Sequence, residues 1–148
     1  MAGHAADVET KVLRIEIITD SALAKLLKQR EKIFIAIDRS RTLKRSGHVI
    51  SIERSRMPYL KELEDVTIAG LKGGLISQTL REVGLVAHGG EEWAEIECLS
   101  SDDALIMNAG VGTPVLRTRR LVRDETGRVI EYVVSLLDPA HFALHLEF

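Results

Sequence analysis

Alternation of apolar and polar residues constrains this chain most, because it recurs in long runs that short turns connect. A period of two puts alternate side chains on opposite faces of a strand, so each run predicts a strand with one buried face. Glu125-Thr126-Gly127 separates two such runs, Thr113–Asp124 and Arg128–Leu137, and Arg45-Ser46-Gly47 turns back the run that begins at Ile33. Because loops this short join antiparallel neighbours, we predict an antiparallel sheet.

Three segments between the strands carry apolar residues at helical spacing. In the first, Leu23, Leu26 and Leu27 share one face. The residues expected to bound the helices are Asp20 or Ser21 at the start of the first, Gly84 at the end of the second, and Ser100 or Ser101 and Gly110 at the two ends of the third. Strands with a few interspersed helices indicate the α+β class.

The chain also resembles itself at a spacing of about 80 residues. Strand, helix, strand, glycine turn and strand follow one another over residues 11–56 and again over residues 93–137, which sets Arg39 opposite Arg120. We therefore predict one domain, residues 1–148, in which two related halves share an antiparallel sheet flanked by helices. A pocket is expected where the halves meet.

Composition narrows the class of protein. Hydrophobic residues make up 45% and charged residues 28%, which is typical of a soluble globular domain. No apolar run approaches the roughly 20 residues that cross a bilayer, and the N-terminus lacks the features of a signal peptide. The single cysteine, Cys98, excludes an internal disulfide and is expected as a buried thiol in a strand. We expect a cytoplasmic protein without membrane contact.

Charge argues against a stand-alone DNA-binding domain. Such domains are usually basic because they neutralise phosphates, whereas this chain has 20 basic and 22 acidic residues and a net charge of −2. No helix-turn-helix or zinc-finger pattern is present either.

Two arginines occupy an unexpected position on a strand face. Ile33, Ile35 and Ile37 define the apolar face of their run, and Arg39 and Arg41 continue that same face. Two guanidinium groups at i and i+2 can grip one anion, since each binds carboxylate or phosphate in bidentate fashion. The alternative is that the strand leaves the core at this point and both arginines meet water or a surface carboxylate.

Two glutamates also stand among apolar residues on a strand face, where a ligand or an ion pair could explain them. Glu131 interrupts the apolar row of Val129 and Val133, and Glu53 follows Val49 and Ser51 on its own face. A buried carboxylate needs a partner, so each glutamate either contacts a ligand in a cleft or forms a structural ion pair with an arginine.

The remaining polar residues give weaker signals. The arginines at 117, 119, 120 and 123 are expected on a solvated sheet face balanced by Glu95 and Glu97. The five histidines are scattered without the spacing of a metal site, and no acid–base pair or nucleophile arrangement stands out. We therefore expect no metal, no cofactor and no catalysis.

Three segments resemble the UTRA domain, the effector-binding half of GntR-type transcriptional regulators of the HutC subfamily. Residues 33–58 resemble its first R-x-R strand and the strand that follows, and residues 71–85, LKGGLISQTLREVGL, are similar to its central helix. The most specific segment, residues 101–137, contains GTPVLRTRR and DETGRVIEY, which resemble its "G-T-P-V-L-x-x-x-R" strand and its "D-x-x-G-x-x-x-E-Y" hairpin. The resemblance extends over nearly the whole chain.

The resemblance implies a fold like that of chorismate lyase, a homodimer, and DNA binding only through an N-terminal winged helix-turn-helix domain that this chain lacks. It also implies that Arg39 and Arg41 grip an anionic effector and that Glu53 and Glu131 contact its hydroxyl or amino groups. Two ligand-facing positions depart from the family pattern, because Gly74 stands where many members have serine and Leu137 where they have tyrosine. The loss of that tyrosine hydroxyl, together with Asp138-Pro139-Ala140 in place of the family's Arg-Gly-Asp, favours a smaller or more apolar anion, such as a carboxylic acid, over a sugar phosphate.

We therefore expect the sensing domain of a regulator, which binds a small anionic or polar metabolite. One alternative is an enzyme of the chorismate lyase type acting on a small anion, because a shared fold does not fix function. Another is a dimerisation module whose pocket has degenerated.

Overall fold

The alternating segments form one antiparallel sheet of six strands in the computed structural model, which describes residues 7–63, 76–143 and 147. The strands are β1 (Val8–Thr19), β2 (Ile33–Leu43), β3 (Val49–Pro58), β4 (Gly89–Cys98), β5 (Pro114–Arg123) and β6 (Val129–Leu137). The helices of the described residues are α1 (Ser21–Leu26), α2 (Ile76–Glu82) and α3 (Ser101–Met107), and a 3₁₀ turn covers Lys61–Leu63.

The order of the strands confirms the two related halves. It runs β1-β2-β3-β6-β5-β4, so β1-α1-β2-β3 and β4-α3-β5-β6 repeat one arrangement and meet where β3 pairs with β6. The hairpin turns correspond as well, because Gly47 and Gly127 both adopt a positive φ, 72° and 86°, that side chains disfavour. In the second hairpin the Asp124 carboxylate accepts hydrogen bonds from the backbone N–H groups of Thr126 and Arg128.

Helices α1 and α3 cover one face of the sheet. Leu23 and Ala24 of α1 join a buried cluster around Phe34, and Ala104 and Met107 of α3 join another cluster with Ile52 and its neighbours. Burial of each large apolar side chain contributes about 1.5–3 kcal/mol, so these clusters hold both helices on the sheet. The predicted sheet flanked by helices is confirmed.

The described residues cover the opposite face at one end. There Leu63 of the 3₁₀ turn and Leu80 of α2 pack with Ile35, Ile37 and Met57 of the sheet. The rest of this face carries polar residues of β2, β3, β5 and β6, which line a cleft among the residues that the structure describes.

Three sequence predictions about the helices and Cys98 are wrong in detail. Leu26 is 57% exposed, because α1 lasts six residues and buries Leu23 and Ala24 instead. Helix α3 ends at Asn108, whose left-handed φ of 52° supplies the cap expected at Gly110. Cys98 is exposed because β4 is an edge strand.

A bulge in β1 changes which residue lies beside the arginine pair. The register with β2 shifts between Val12 and Arg14, so Val12 lies opposite Arg39 and Leu13 is the extra residue.

No helix in the described part of the chain is long and apolar enough to cross a membrane.

Candidate functional site

A cleft of about 970 Å³ opens on the face of the sheet opposite α1 and α3, where the two halves meet. Strand pairing alone positions its floor, because residues directly opposite each other on neighbouring strands share a face. One such row runs across the sheet from β2 to β4 through Arg39, Glu53, Ser135, Thr118 and Ala94. Residues from both halves therefore build the same floor.

The two predicted arginines lie in this cleft and share Glu53. Arg39 Nη2 donates to Glu53 Oε2 at 2.8 Å, and Arg41 Nη2 lies 3.4 Å from Glu53 Oε1. Their exposure differs, since 11% of the Arg39 side chain and 34% of the Arg41 side chain are exposed. The ion pair and the cleft occur together here, so the two sequence interpretations of this strand are not exclusive.

The Arg39–Glu53 pair does not satisfy every polar atom of the floor. Arg39 Nε and Ser51 Oγ are buried and have no hydrogen-bond partner among the described residues. A buried donor without a partner costs about 1–3 kcal/mol. A ligand acceptor in the cleft would remove that cost.

Glu131 lies deep in the same cleft. Its Oε2 accepts a hydrogen bond from Ser55 Oγ at 2.5 Å. Burial raises the pKa of the Glu131 carboxyl above its usual range, while the Ser55 hydrogen bond and the positive charges of Arg39 and Arg120 oppose part of that rise. The charge of this carboxyl therefore depends on pH in a less acidic range than that of an ordinary glutamate.

Arg120 is a cleft residue that the sequence analysis placed elsewhere. The sequence predicts it on a solvated face with its basic neighbours, whereas it lines the cleft opposite Val133 of β6. Two sequence signals indicate this position: Arg120 falls opposite Arg39 in the internal repeat, and alternation puts it on one face with Thr118 and Val122, opposite the face of Arg117 and Arg119.

The other arginines of β5 follow the prediction. Arg117 forms salt bridges to Glu95 at 2.6 Å and to Glu97 at 3.0 Å on the opposite face of the sheet. Arg119 stacks over the Trp93 ring, with 4.9 Å between its guanidinium carbon and the ring centroid. The arginines of β5 are thus divided between the two faces of the sheet.

The remaining predicted site residues have two outcomes. Leu137 lines the cleft at the end of β6, whereas the apolar residues Leu80 and Leu85 line it toward the opposite end of the strands, beside Ile130. Gly74 lies outside the described residues. The structure thus brings Arg39, Arg41, Glu53, Glu131 and Leu137 together and adds Arg120 to them.

Comparison with solved structures supports the fold. The ligand-binding domain of a GntR-family transcriptional regulator from Bordetella bronchiseptica superposes with a TM-score of 0.85 at 16% identity, over 100% of this chain and 94% of that chain. A GntR-family regulator from Bacillus cereus gives a TM-score of 0.79 at 17% identity, over 96% and 99%. The effector domain of PhnF from Mycobacterium smegmatis gives 0.76 at 16% identity, over 96% and 91%. The match covers 64% of a longer PhnF chain.

Sequence comparison gives the family. No curated protein matches the chain at a significant level of similarity. The family model of the UTRA domain, however, matches residues 4–143, which is nearly the whole chain. The chain therefore belongs to the UTRA domain family.

Proposed function

We propose that this chain is the small-molecule sensing domain of a GntR-type transcriptional regulator, and that the cleft binds its effector. The observation that carries the proposal is the convergence of Arg39, Arg41 and Arg120 on a cleft that both halves of the sheet line. Clefts of this size that combine apolar walls with a few convergent polar groups are typical ligand sites. Family membership favours a sensor over the enzyme alternative.

The effector that fits this cleft best is a small anion, such as a carboxylic acid. Its anionic group would accept hydrogen bonds from Arg39 Nε and from the Arg41 guanidinium, while Glu53 keeps both arginines oriented. The protonated form of Glu131 can donate a hydrogen bond, and its ionised form can accept one from a hydroxyl or amino group. The apolar side chain of Leu137 favours an organic acid over a heavily hydroxylated sugar phosphate.

Signalling would follow from linkage between effector and DNA. An effector shifts the regulator between two arrangements only by the difference in its affinity for them. We propose that the complete regulator is a cytoplasmic homodimer, that an N-terminal winged helix-turn-helix domain contacts DNA, and that it belongs to the HutC subfamily. The length of PhnF beyond the matched 64% supports the additional domain. Sedimentation of the purified chain should show a dimer at micromolar concentration. A monomer would contradict the proposed homodimer.

A thermal-shift screen of the chain against small anions tests the proposed function. The panel contains aliphatic and aromatic carboxylates, amino acids, phosphonates and sugar phosphates, with a matched neutral amide for each carboxylate. A compound that binds only the folded state raises the melting temperature in a dose-dependent way. We expect a rise with a carboxylate and none with its amide. If no anion raises the melting temperature, or if each amide acts as well as its acid, the proposal fails.

A further inference from the structure

Three polar side chains meet beside the start of β3 and the end of β6, the two strands that join the halves of the sheet. His48 immediately precedes β3, and Asp138 immediately follows β6. Pairing of these strands brings them together, and the Asp138 N–H donates to the Ile50 carbonyl oxygen at 2.9 Å. A tight turn after Asp138 then returns His141 to the same place, with its N–H donating to the Asp138 carbonyl oxygen at 3.0 Å.

The two imidazoles approach the same carboxylate oxygen. His48 Nε2 lies 2.6 Å and His141 Nδ1 lies 3.3 Å from Asp138 Oδ2. The two ring centroids are 5.4 Å apart, and one ligand atom from each of the three residues falls within 4.8 Å of the others. The other oxygen, Asp138 Oδ1, accepts the Ala140 N–H at 2.9 Å, which fixes the orientation of the carboxylate.

This geometry exceeds what a simple ion pair needs. One imidazole suffices to pair with Asp138, whereas here a second ring aims its nitrogen at the same oxygen. Two imidazoles and one carboxylate are a common donor set for Zn²⁺, which takes His and Asp ligands at about 2.0–2.2 Å. Tetrahedral bonds of that length place ligand atoms about 3.3 Å apart. The Asp138–His141 distance already has this value, and the His48–Asp138 distance must lengthen by less than about 1 Å. The two imidazole nitrogens lie within 4.8 Å of each other, so a metal ion would draw the rings to the same spacing.

The surroundings of the cluster also suit a metal ion. Between 20% and 41% of each of the three side chains is exposed, so a metal can enter and water can take a remaining coordination position. Metal binding needs the carboxylate deprotonated and both imidazoles neutral, which is the form that a divalent ion selects.

We propose that His48 Nε2, His141 Nδ1 and the Asp138 carboxylate form a binding site for a divalent transition-metal ion such as Zn²⁺. The metal would join the β2–β3 turn to the segment after β6. Phe142 and Ala143, which follow His141, line the cleft, so the metal would also fix that edge of the cleft. The metal site does not depend on the identity of the effector or on the sensing role.

Calorimetric titration of the complete chain with ZnCl₂, after removal of any polyhistidine tag, tests the proposal. We expect one Zn²⁺ per chain in the wild type. His48→Gln, His141→Gln and Asp138→Asn should each weaken binding at least about tenfold, since even an outer partner of a metal ligand is worth that much. His88→Gln is the matched control, because His88 is an exposed histidine outside the cluster, and it should bind as the wild type does.

A spectroscopic arm keeps the test independent of how well the variants fold. Co²⁺ added to the wild-type chain should give the visible absorption of a four- or five-coordinate ion with nitrogen ligands, and Zn²⁺ should displace it. Absence of that absorption in the wild type would overturn the proposal. Zn²⁺ affinity unchanged in both histidine variants, each with a wild-type circular dichroism spectrum, would overturn it equally.

Discussion

Glu131 shows how one residue on a strand face can report a cleft. Its carboxyl lies in the cleft beside Ser55, on the face of Val133 as the alternation predicts. The prediction of Val129 as a face-mate is wrong, because the register of β5 with β6 shifts there and Val129 packs with the cluster around Phe34 on the opposite face. Because charged residues rarely occupy a buried face without a partner, period two was enough to single out Glu131 from the sequence, and Arg39 in the same way. The sequence does not single out Arg120, because it lies among other arginines of β5 and their shared charge predicts one solvated face.

The histidine cluster was beyond the reach of sequence reasoning. His48 and Asp138 are 90 positions apart, and only the register of β3 with β6 brings them together. Spacing along the chain contains no signal for such a pair. The motif patterns for metal sites apply to ligands that lie close together in sequence.

Glu131 should make the stability of the fold depend on pH. Its folded-state pKa is raised above the ordinary value of 4.5, so the protonated carboxyl favours folding. That contribution is fully present below the unfolded pKa and is lost as the pH rises through the folded pKa. We expect the free energy of unfolding of the wild type to fall over this window, and Glu131→Gln to reduce the fall.

Urea denaturation at a series of pH values measures this effect. Ser55→Ala provides a second variant, because it removes the hydrogen bond that lowers the pKa of Glu131. It should extend the fall in stability to higher pH. If the wild type and Glu131→Gln depend on pH identically, the burial assigned to this carboxyl is wrong.

At the scale of elements, strand order depends on contacts between segments distant in sequence, whereas strand positions depend on local pattern. Alternation located both ends of β5 and β6 to within a residue and the start of β2 at Ile33. It could not show the bulge after Val12, because an extra residue in a strand leaves the apolar pattern ambiguous. The short helices were located by their caps, but which of their apolar residues face the sheet depends on packing.

Gly90 should be required for the pairing of β4 with β5. A Cβ atom built there would lie 1.8 Å from the carbonyl oxygen of Leu121, which belongs to the backbone and cannot move aside cheaply. We expect Gly90→Ala to lower the free energy of unfolding by about 1–3 kcal/mol, the usual cost of overpacking. Chemical denaturation measures the change.

Gly89→Ala is the matched control for this prediction. A Cβ atom at Gly89 meets no atom within 4 Å, so the substitution should have an effect below about 0.5 kcal/mol. Equal effects of the two substitutions would show that the close approach of β4 to Leu121 is not present in solution.

At the scale of the whole molecule, the cleft belongs to neither half alone. The internal repeat allowed the sequence to predict a pocket between two halves, but not that β3 and β6 would form the seam. Arg39 and Glu53 come from the first half, and Arg120 and Glu131 from the second. A ligand in the cleft therefore contacts both halves of the sheet.

Hydrogen exchange should reveal this shared site. An anion bound in the cleft should slow amide exchange in both the β2–β3 hairpin and the β5–β6 hairpin, because local opening of either would release it. Mass spectrometry with and without the anion locates the protected peptides. Protection confined to one half would place the ligand elsewhere.

The most direct test of the central claim is the affinity of the chain for the anion that gives the largest thermal shift, measured by calorimetry in Arg39→Ala and Arg117→Ala. Both variants lose one arginine, but Arg39 lies in the cleft and Arg117 pairs with Glu95 on the opposite face. A hydrogen bond to a charged group contributes about 1.5–3 kcal/mol, so Arg39→Ala should weaken binding at least about tenfold. Arg117→Ala should bind as the wild type does. Wild-type affinity in a folded Arg39→Ala variant would contradict the assignment of the cleft as the effector site.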